Sequence, residues 1–137
     1  MIVMVCLDDS NGMMFNRRRQ SRDQAVIDDM VFMSRKLFMK EYSAKLFTDQ
    51  ELEHGIIASE FLQQAQEGDF CFVEDMNVLP YYAKIEQIII YRWNRKYPAD
   101  LYFDITLEKD WELVEVIEFV GTSHEKISKE IYLKCTN

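Results

Sequence analysis

The sequence predicts an α/β domain with a mixed sheet, and three observations support this prediction. Short apolar segments alternate with helical patterns through the first two thirds of the chain, as in strands joined by helical crossovers. The last two strand-like segments are joined by Gly121–His124, which suits a hairpin loop. With only four glycines and two prolines in 137 residues, most of the chain is expected to be helix or strand. The sheet should therefore have a largely parallel centre and an antiparallel C-terminal hairpin at one edge.

The N-terminal elements follow from an apolar run, a turn and a helix start. Ile2–Leu7 is uniformly apolar, which is typical of a buried central strand, and the Asn11-Gly12 turn follows it. Met13–Gln20 is predicted to be a loop. A helix is predicted to begin at Ser21, because Ser21 and Gln24 have the spacing of a capping box. Its apolar stripe consists of Val26, Met30, Met33 and Leu37.

The remaining elements are predicted from shorter patterns. The segment 87–93 is rich in β-branched and aromatic residues, which favours a strand. In the final strand, side chains at alternate positions share a face, and the apolar face consists of Ile127, Ile131, Leu133 and Cys135. The final strand covers 126–135, the other predicted strands cover 37–39, 56–57, 70–73 and 111–120, and short helices cover 42–47, 59–66 and 75–82.

Composition and charge favour one globular domain that spans residues 1–137. The net charge is −8 and the pI is near 4.8, so the chain lacks the positive field that attracts nucleic acid, and a nucleic-acid partner is not expected. There is no N-terminal leader pattern, and no apolar run approaches the ~20 residues of a membrane span. Cys6, Cys71 and Cys135 each lie in an apolar run, which predicts buried free thiols in a reducing compartment. We therefore expect a cytoplasmic protein with no membrane partner.

The sequence carries none of the compact motifs of metal or nucleophilic chemistry. His54 and His124 are isolated, and neither has a Cys, His or carboxylate at metal-ligand spacing. No bound metal is expected, and the sequence excludes a metal-dependent nuclease of the ribonuclease Z kind, which needs a His- and Asp-rich cluster. Neither a nucleophile elbow nor a phosphate-binding P-loop is present.

An arginine-rich segment is the strongest candidate for a binding site. Four guanidinium groups precede Asp23 at a predicted helix start, where free backbone amides also favour anions. The alternative interpretation is a solvated loop whose arginines pair with Asp8, Asp9, Asp23 and Asp28. The candidate site for a small phosphorylated or carboxylate ligand consists of Asp8, Asn11, Arg17, Arg18, Arg19, Arg22 and Asp23.

Asp23 and an aromatic stretch each admit two interpretations. Asp23 is either a buried proton-handling carboxylate, whose pKa burial without a partner would raise, or a helix-start acid that complements the helix dipole. The aromatic side chains either stack on bases or pack in the sheet, and exposed ones would suit a homodimer. The stretch consists of Tyr81, Tyr82, Tyr91, Trp93, Tyr97, Tyr102 and Phe103.

The order of several segments resembles dihydrofolate reductase. Leu79-Pro80, the strand at 88–90, the segment 100–104 and Asp110-Trp111-Glu112 occur in the order and with the approximate spacing of that family. At the N-terminus, a strand leading into Asn11-Gly12-Met13, followed by a loop and then an acid, is similar as well. The resemblance implies a shortened three-layer dihydrofolate reductase-like α/β fold, with Asp23 at the position of the family's catalytic acid.

Several departures from the family concern its cofactor. The family's Gly-Gly pair, which admits a cofactor diphosphate, is replaced by Glu74-Asp75, and two carboxylates there would repel that group. The family's phosphate-binding basic residue falls near Glu41, and the threonine that orients its acid falls at Tyr91. NADPH is therefore not an expected cofactor.

Three functional classes remain open at this point. The first is a non-catalytic binder of a small anionic ligand at the arginine-rich segment. The second is a residual pterin- or nucleotide-dependent reductase, which needs Asp23 to face a well-formed cleft. The third is a protein-interaction or homo-oligomeric scaffold, which needs an exposed apolar patch.

Overall fold

A computed structural model describes residues 1–135 and contains a seven-stranded sheet, a three-stranded sheet and short helices. The strands are β1 (Ile2–Leu7), β2 (Gly12–Phe15), β3 (Arg18–Arg19), β4 (Leu37–Met39), β5 (Ile56–Ile57), β6 (Phe70–Phe72), β7 (Gln87–Arg92), β8 (Leu101–Tyr102), β9 (Trp111–Phe119) and β10 (Ile127–Lys134). The helices are α1 (Gln24–Met33), α2 (Glu41–Ala44), α3 (Phe61–Gln64) and a 3₁₀ helix (Leu79–Lys84).

The large sheet is mixed and has the order β5-β4-β6-β1-β7-β10-β9. The strands from β5 to β7 are parallel to their neighbours, and β10 and β9 join them in antiparallel pairing. The predicted α/β class, parallel centre and C-terminal hairpin are thus confirmed. Since β1, β6 and β7 are parallel, their carboxyl ends meet at one edge, where open α/β sheets place ligand sites.

The central strands are buried on both faces, which explains their continuous apolar sequences. Val3 and Ile88 point into one core cluster, which also contains Phe61 and residues of the 3₁₀ helix region. Met4 and Ile89 point into the second cluster, which is covered by α1. The sheet therefore lies between two packed layers.

Helix α1 begins later than the sequence predicted. Asp23, not Ser21, is the N-cap: its backbone is extended and its carboxylate accepts a hydrogen bond from the amide of Ala25. The side chain of Gln24 does not close a capping box but donates to Asp28 and Glu51. The predicted apolar stripe is also too long, because the helix ends at Met33 and residue 37 lies in β4.

The predicted loop 13–20 is instead a hairpin made of β2 and β3. Asn16 and Arg17 have positive φ values of 53° and 62°, and they form the two-residue connection. A two-residue connection with left-handed residues fits the twist of a hairpin, although arginine is an unusual choice for it. This hairpin and β8 form the three-stranded sheet beside the carboxyl end of β1.

The C-terminal strand is less buried than the sequence predicted. Ile127 and Ile131 belong to the cluster under α1, but Leu133 and Cys135 are exposed because they extend beyond that cluster. The prediction of three buried thiols is therefore wrong for Cys135, while Cys71 is buried and Cys6 is partly buried. None of the helices formed by residues 1–135 is long and apolar enough to cross a membrane.

Candidate functional site

The carboxyl ends of the central strands carry a polar network. Asp8 follows β1, Glu74 lies beyond β6, and Trp93 follows β7. The segment that leads into α1 and the β9–β10 loop approach the same edge, and they bring Asp23 and His124 together. This edge of the sheet is the candidate site.

Asp8 organises the turn after β1 through four hydrogen bonds. Burial by itself raises the pKa of the Asp8 carboxyl, but the hydrogen bonds outweigh it and hold the pKa below its ordinary value. The donors are the backbone amides of Ser10, Gly12 and Tyr97 and the side-chain amide of Gln20, at 2.7–3.1 Å. Both carboxylate oxygens are thus engaged within the protein. The neighbouring Asn11 side chain accepts a hydrogen bond from Arg92.

Arg19 is committed to an internal ion pair. Its Nε and Nη2 donate to the two carboxylate oxygens of Glu74 at 2.8 and 3.0 Å, and its guanidinium lies 4.4 Å from the ring centre of Tyr42. Glu74 also accepts a hydrogen bond from Ser43 Oγ at 2.8 Å. This bidentate, partly buried pair ties β3 to the end of β6.

The other three arginines of the predicted site diverge. Arg17 lines a cleft of about 240 Å³ that also contains Asp75 and Asp100. Arg18 lines a separate cleft of about 410 Å³, and Arg22 lines a cavity of about 20 Å³. None of the three forms an ion pair within residues 1–135, so they do not pair with the nearby acids as the alternative interpretation required. The structure therefore separates the four guanidinium groups instead of gathering them at one point.

Asp23 anchors the β9–β10 loop to the start of α1. Besides the Ala25 amide, its carboxylate accepts hydrogen bonds from the amides of Thr122 and Ser123, both at 2.8 Å, and lies 2.9 Å from His124 Nδ1. Burial raises its pKa, but these hydrogen bonds dominate and lower the pKa to about 2. Asp23 is thus a helix-start acid held in its ionised form, the opposite of the shift expected for burial without a partner.

His124 is surrounded by partners that sequence reasoning missed. Its Nε2 lies 3.1 Å from both Ser21 Oγ and Tyr97 Oη, and its ring stacks on Trp93 with 4.6 Å between the ring centres. The contact with Asp23 joins residues 101 positions apart, which no local pattern can reveal. The imidazole is buried and held on every side.

Most of the aromatic stretch is packed inside the protein. Tyr91, Trp93 and Phe103 are buried, Tyr81, Tyr82 and Tyr97 are partly buried, and Tyr102 is exposed. The hydroxyl of Tyr91 donates to Asp29 at 2.6 Å, and burial together with this carboxylate raises the pKa of Tyr91. The stretch thus supplies core contacts and no continuous stacking surface.

Comparisons with known proteins identify a fold. No family model matches the chain, and no curated protein matches it in sequence. A solved structure of dihydrofolate reductase from Enterococcus faecalis, complexed with NADP(H) and RAB-propyl, is similar with a TM-score of 0.69 and 10% identity. The match covers 98% of this chain and 96% of that one. Over the part of the chain that the structure describes, no three His, Cys, Asp or Glu side chains converge to hold a metal ion.

Proposed function

Given its dihydrofolate reductase-like fold, we propose that the protein binds a small anionic ligand in the cleft beside the β2–β3 hairpin. We name this the arginine cleft, and it is lined by Phe15, Asn16, Arg18, Arg19, Gln20, Tyr97 and Pro98. The observation that carries the proposal is the charge of this lining, which contains the exposed Arg18, the Glu74-paired Arg19 and no carboxylate.

The chemistry of the arginine cleft suits a ligand with one anionic group on a compact apolar body. Its volume of about 410 Å³ lies within the usual range for small-molecule sites. Arg18 is exposed and is the cation available to bind a phosphate or carboxylate in a bidentate manner, while Phe15 and Tyr97 offer apolar surface. Arg19 is engaged with Glu74, so we assign it a positioning role.

The residues that follow β6, which do not line the arginine cleft, argue against NADPH as the ligand. Glu74 and Asp75 stand where the family resemblance requires a Gly-Gly pair, and they form ion pairs with Arg19 and Lys40. A diphosphate would meet carboxylates in place of open backbone, so these residues do not fit the cofactor. Without NADPH, the reductase alternative lacks a hydride donor.

Replacing Arg18 by alanine is expected to weaken ligand binding about tenfold or more, because a charge-assisted hydrogen bond contributes about 1.5–3 kcal/mol. The measurement is a thermal-unfolding screen with inorganic phosphate, AMP, 3-phosphoglycerate, NADPH and methotrexate, followed by calorimetric titration of any hit. A ligand at a hundred times its dissociation constant stabilises a protein by about 2.7 kcal/mol, a readily measured shift. The matched control is Arg35→Ala, which removes an exposed arginine that lines a different cleft.

The outcomes separate the candidates. A phosphorylated ligand that stabilises the parent and the Arg35→Ala variant but not the Arg18→Ala variant supports the proposal. Stabilisation by NADPH or methotrexate contradicts it and favours the reductase. A screen in which no anion stabilises the protein also contradicts it.

Self-association through β9 is a second candidate, and one observation favours it. Strand β9 is a nine-residue edge strand, and its apolar side chains are exposed on both faces. The exposed residues are Leu113, Val114, Val116 and Ile117. Long exposed edge strands with apolar side chains readily pair with another chain.

If β9 pairs with a second copy, the protein should sediment as a dimer, and Val116→Lys should shift it to the monomer. Sedimentation velocity across a concentration series provides the measurement. The control is Phe32→Lys, because Phe32 is 89% exposed but lies on α1, away from that edge. Sedimentation of the parent protein as a monomer at all concentrations would contradict this second candidate.

A further inference from the structure

Ser21, His124 and Asp23 form a hydrogen-bonded line at the edge of the sheet. Ser21 Oγ lies 3.1 Å from His124 Nε2, and His124 Nδ1 lies 2.9 Å from Asp23 Oδ2. A hydroxyl, an imidazole and a carboxylate in this order and at these distances are the parts of a nucleophilic triad. The line is built from residues just before α1 and from the β9–β10 loop.

The hydrogen-bond network fixes the role of each imidazole nitrogen. The Asp23 carboxylate is an acceptor, so Nδ1 carries the hydrogen of the neutral ring. Nε2 is then the acceptor and faces the Ser21 hydroxyl. Stacking on Trp93 holds the ring in this orientation.

Tyr97 is the second hydroxyl that faces Nε2, also at 3.1 Å. A neutral imidazole has one lone pair at that nitrogen, so the two hydroxyls alternate as donors. Once Nε2 carries a proton, Tyr97 Oη can accept a hydrogen bond from it. We therefore assign Tyr97 to orienting and stabilising the imidazolium.

Ser21 also lines two small, partly open cavities. It lines a cavity of about 20 Å³ and a second one of about 10 Å³, and Cys6, Glu74 and Trp93 line both. Arg22 lines the larger cavity, which has an apolar wall made of Val26, Ile27, Met30, Leu46 and Phe72. A space of this size holds about one water molecule, which is room for the carbonyl oxygen of a small acyl group.

We propose that Ser21 and His124, positioned by Asp23, transfer a small acyl group from an ester to water. Ser21 Oγ adds to the ester carbonyl carbon, its proton passes to His124 Nε2, and the carbonyl electrons move to the oxygen, which lies in the cavity that Arg22 helps to line. The carbon–oxygen bond to the alcohol then breaks, and the leaving oxygen takes the proton from Nε2. Water adds to the acyl carbon by the same path, which releases the acid and restores the Ser21 hydroxyl.

The test uses p-nitrophenyl acetate with the full-length protein. We expect a burst of p-nitrophenolate equal to the protein concentration, and an acetyl group on the peptide that contains Ser21. Ser21→Ala should abolish both without changing the thermal midpoint, whereas Ser59→Ala, at an exposed serine, should retain them. Tyr97→Phe should slow the acetylation of Ser21 without abolishing it, since Tyr97 only stabilises the imidazolium.

Further variants separate catalysis from folding. His124→Gln should lose the burst, while His54→Gln, at an exposed histidine, should keep it. Asp23→Asn should be assayed under conditions in which the variant is folded. It should slow the burst at pH 7 by about a thousandfold or more, because the substituted amide would favour the wrong tautomer of the His124 imidazole. If His124→Gln does not fold, the Ser21→Ala result decides the matter. Absence of a burst in the parent, or a burst that survives in Ser21→Ala, overturns the proposal.

Discussion

Replacement of Asp23 by alanine is expected to lower the free energy of unfolding by about 3–5 kcal/mol. The substitution removes the N-cap of α1, for which a loss of about 1 kcal/mol is typical. It also leaves the amides of Thr122 and Ser123 and the Nδ1 of buried His124 without their acceptor. These losses add because one carboxylate holds two segments that are distant in the sequence.

Urea denaturation of the parent and variant proteins provides the measurement. The control is Asp9→Ala, since Asp9 is exposed at the same edge of the sheet and is expected to change stability by less than about 0.5 kcal/mol. A loss below about 1 kcal/mol for Asp23→Ala would mean that the loop is held by other contacts.

The same carboxylate gives the stability a defined pH dependence. The pKa of Asp23 is about 2 in the folded protein, against an ordinary value of 3.8. Because the folded pKa is the lower one, its contribution of about 2 kcal/mol is present above pH ~4 and is lost as the pH falls from about 4 to about 2. The Asp23→Ala variant should show a correspondingly smaller loss over that interval.

The central strands of the large sheet were predictable because each has a strong local cause. The apolar run at β1 and the β-branched run at β7 require burial on both faces, and the structure places both at the centre of the sheet. The order of short motifs around Leu79-Pro80 and Asp110-Trp111 also indicated the fold, although none of them is specific alone. The apolar pattern of the central strands and the order of the motifs along the chain therefore predicted the architecture.

The details of the site depend on contacts between residues that are distant in the sequence, and local sequence patterns do not reveal these contacts. Ser21 and Gln24 have the spacing of a cap, but Asp23 caps the helix because it also satisfies amides in the β9–β10 loop. The partner of His124 lies 101 residues away, and that of Arg19 lies 55 residues away. The arginine-rich segment looks like one cationic cluster in the sequence, yet its hairpin directs neighbouring side chains to different sides.

Removing the Glu74 side chain should produce the second large effect. Glu74→Ala leaves the partly buried Arg19 guanidinium without its bidentate partner and Ser43 without its acceptor. Loss of one member of such a pair costs about 3 kcal/mol, the lower end of the range for buried pairs, because Arg19 keeps some contact with solvent. Glu67→Ala, at an exposed glutamate, is the control and should be nearly neutral.

A double-mutant cycle separates the ion pair from general loss of packing. Arg19→Met combined with Glu74→Ala should be less destabilised than the sum of the two single variants, with a coupling of about 1 kcal/mol or more by chemical denaturation. Additive losses would show that the two side chains stabilise the protein independently.

The Glu74 substitution also connects stability with the proposed binding site. Arg19 lines the arginine cleft, but its positive charge is neutralised there by Glu74. In Glu74→Gln, which keeps an acceptor for Ser43, the guanidinium gains an unneutralised charge next to Arg18. Calorimetric titration with inorganic phosphate should therefore give a higher affinity for Glu74→Gln than for the parent, at reduced stability. An unchanged affinity would place the anion outside the reach of Arg19, since a charge that lines the site must act on the ligand within a Debye length of about 10 Å.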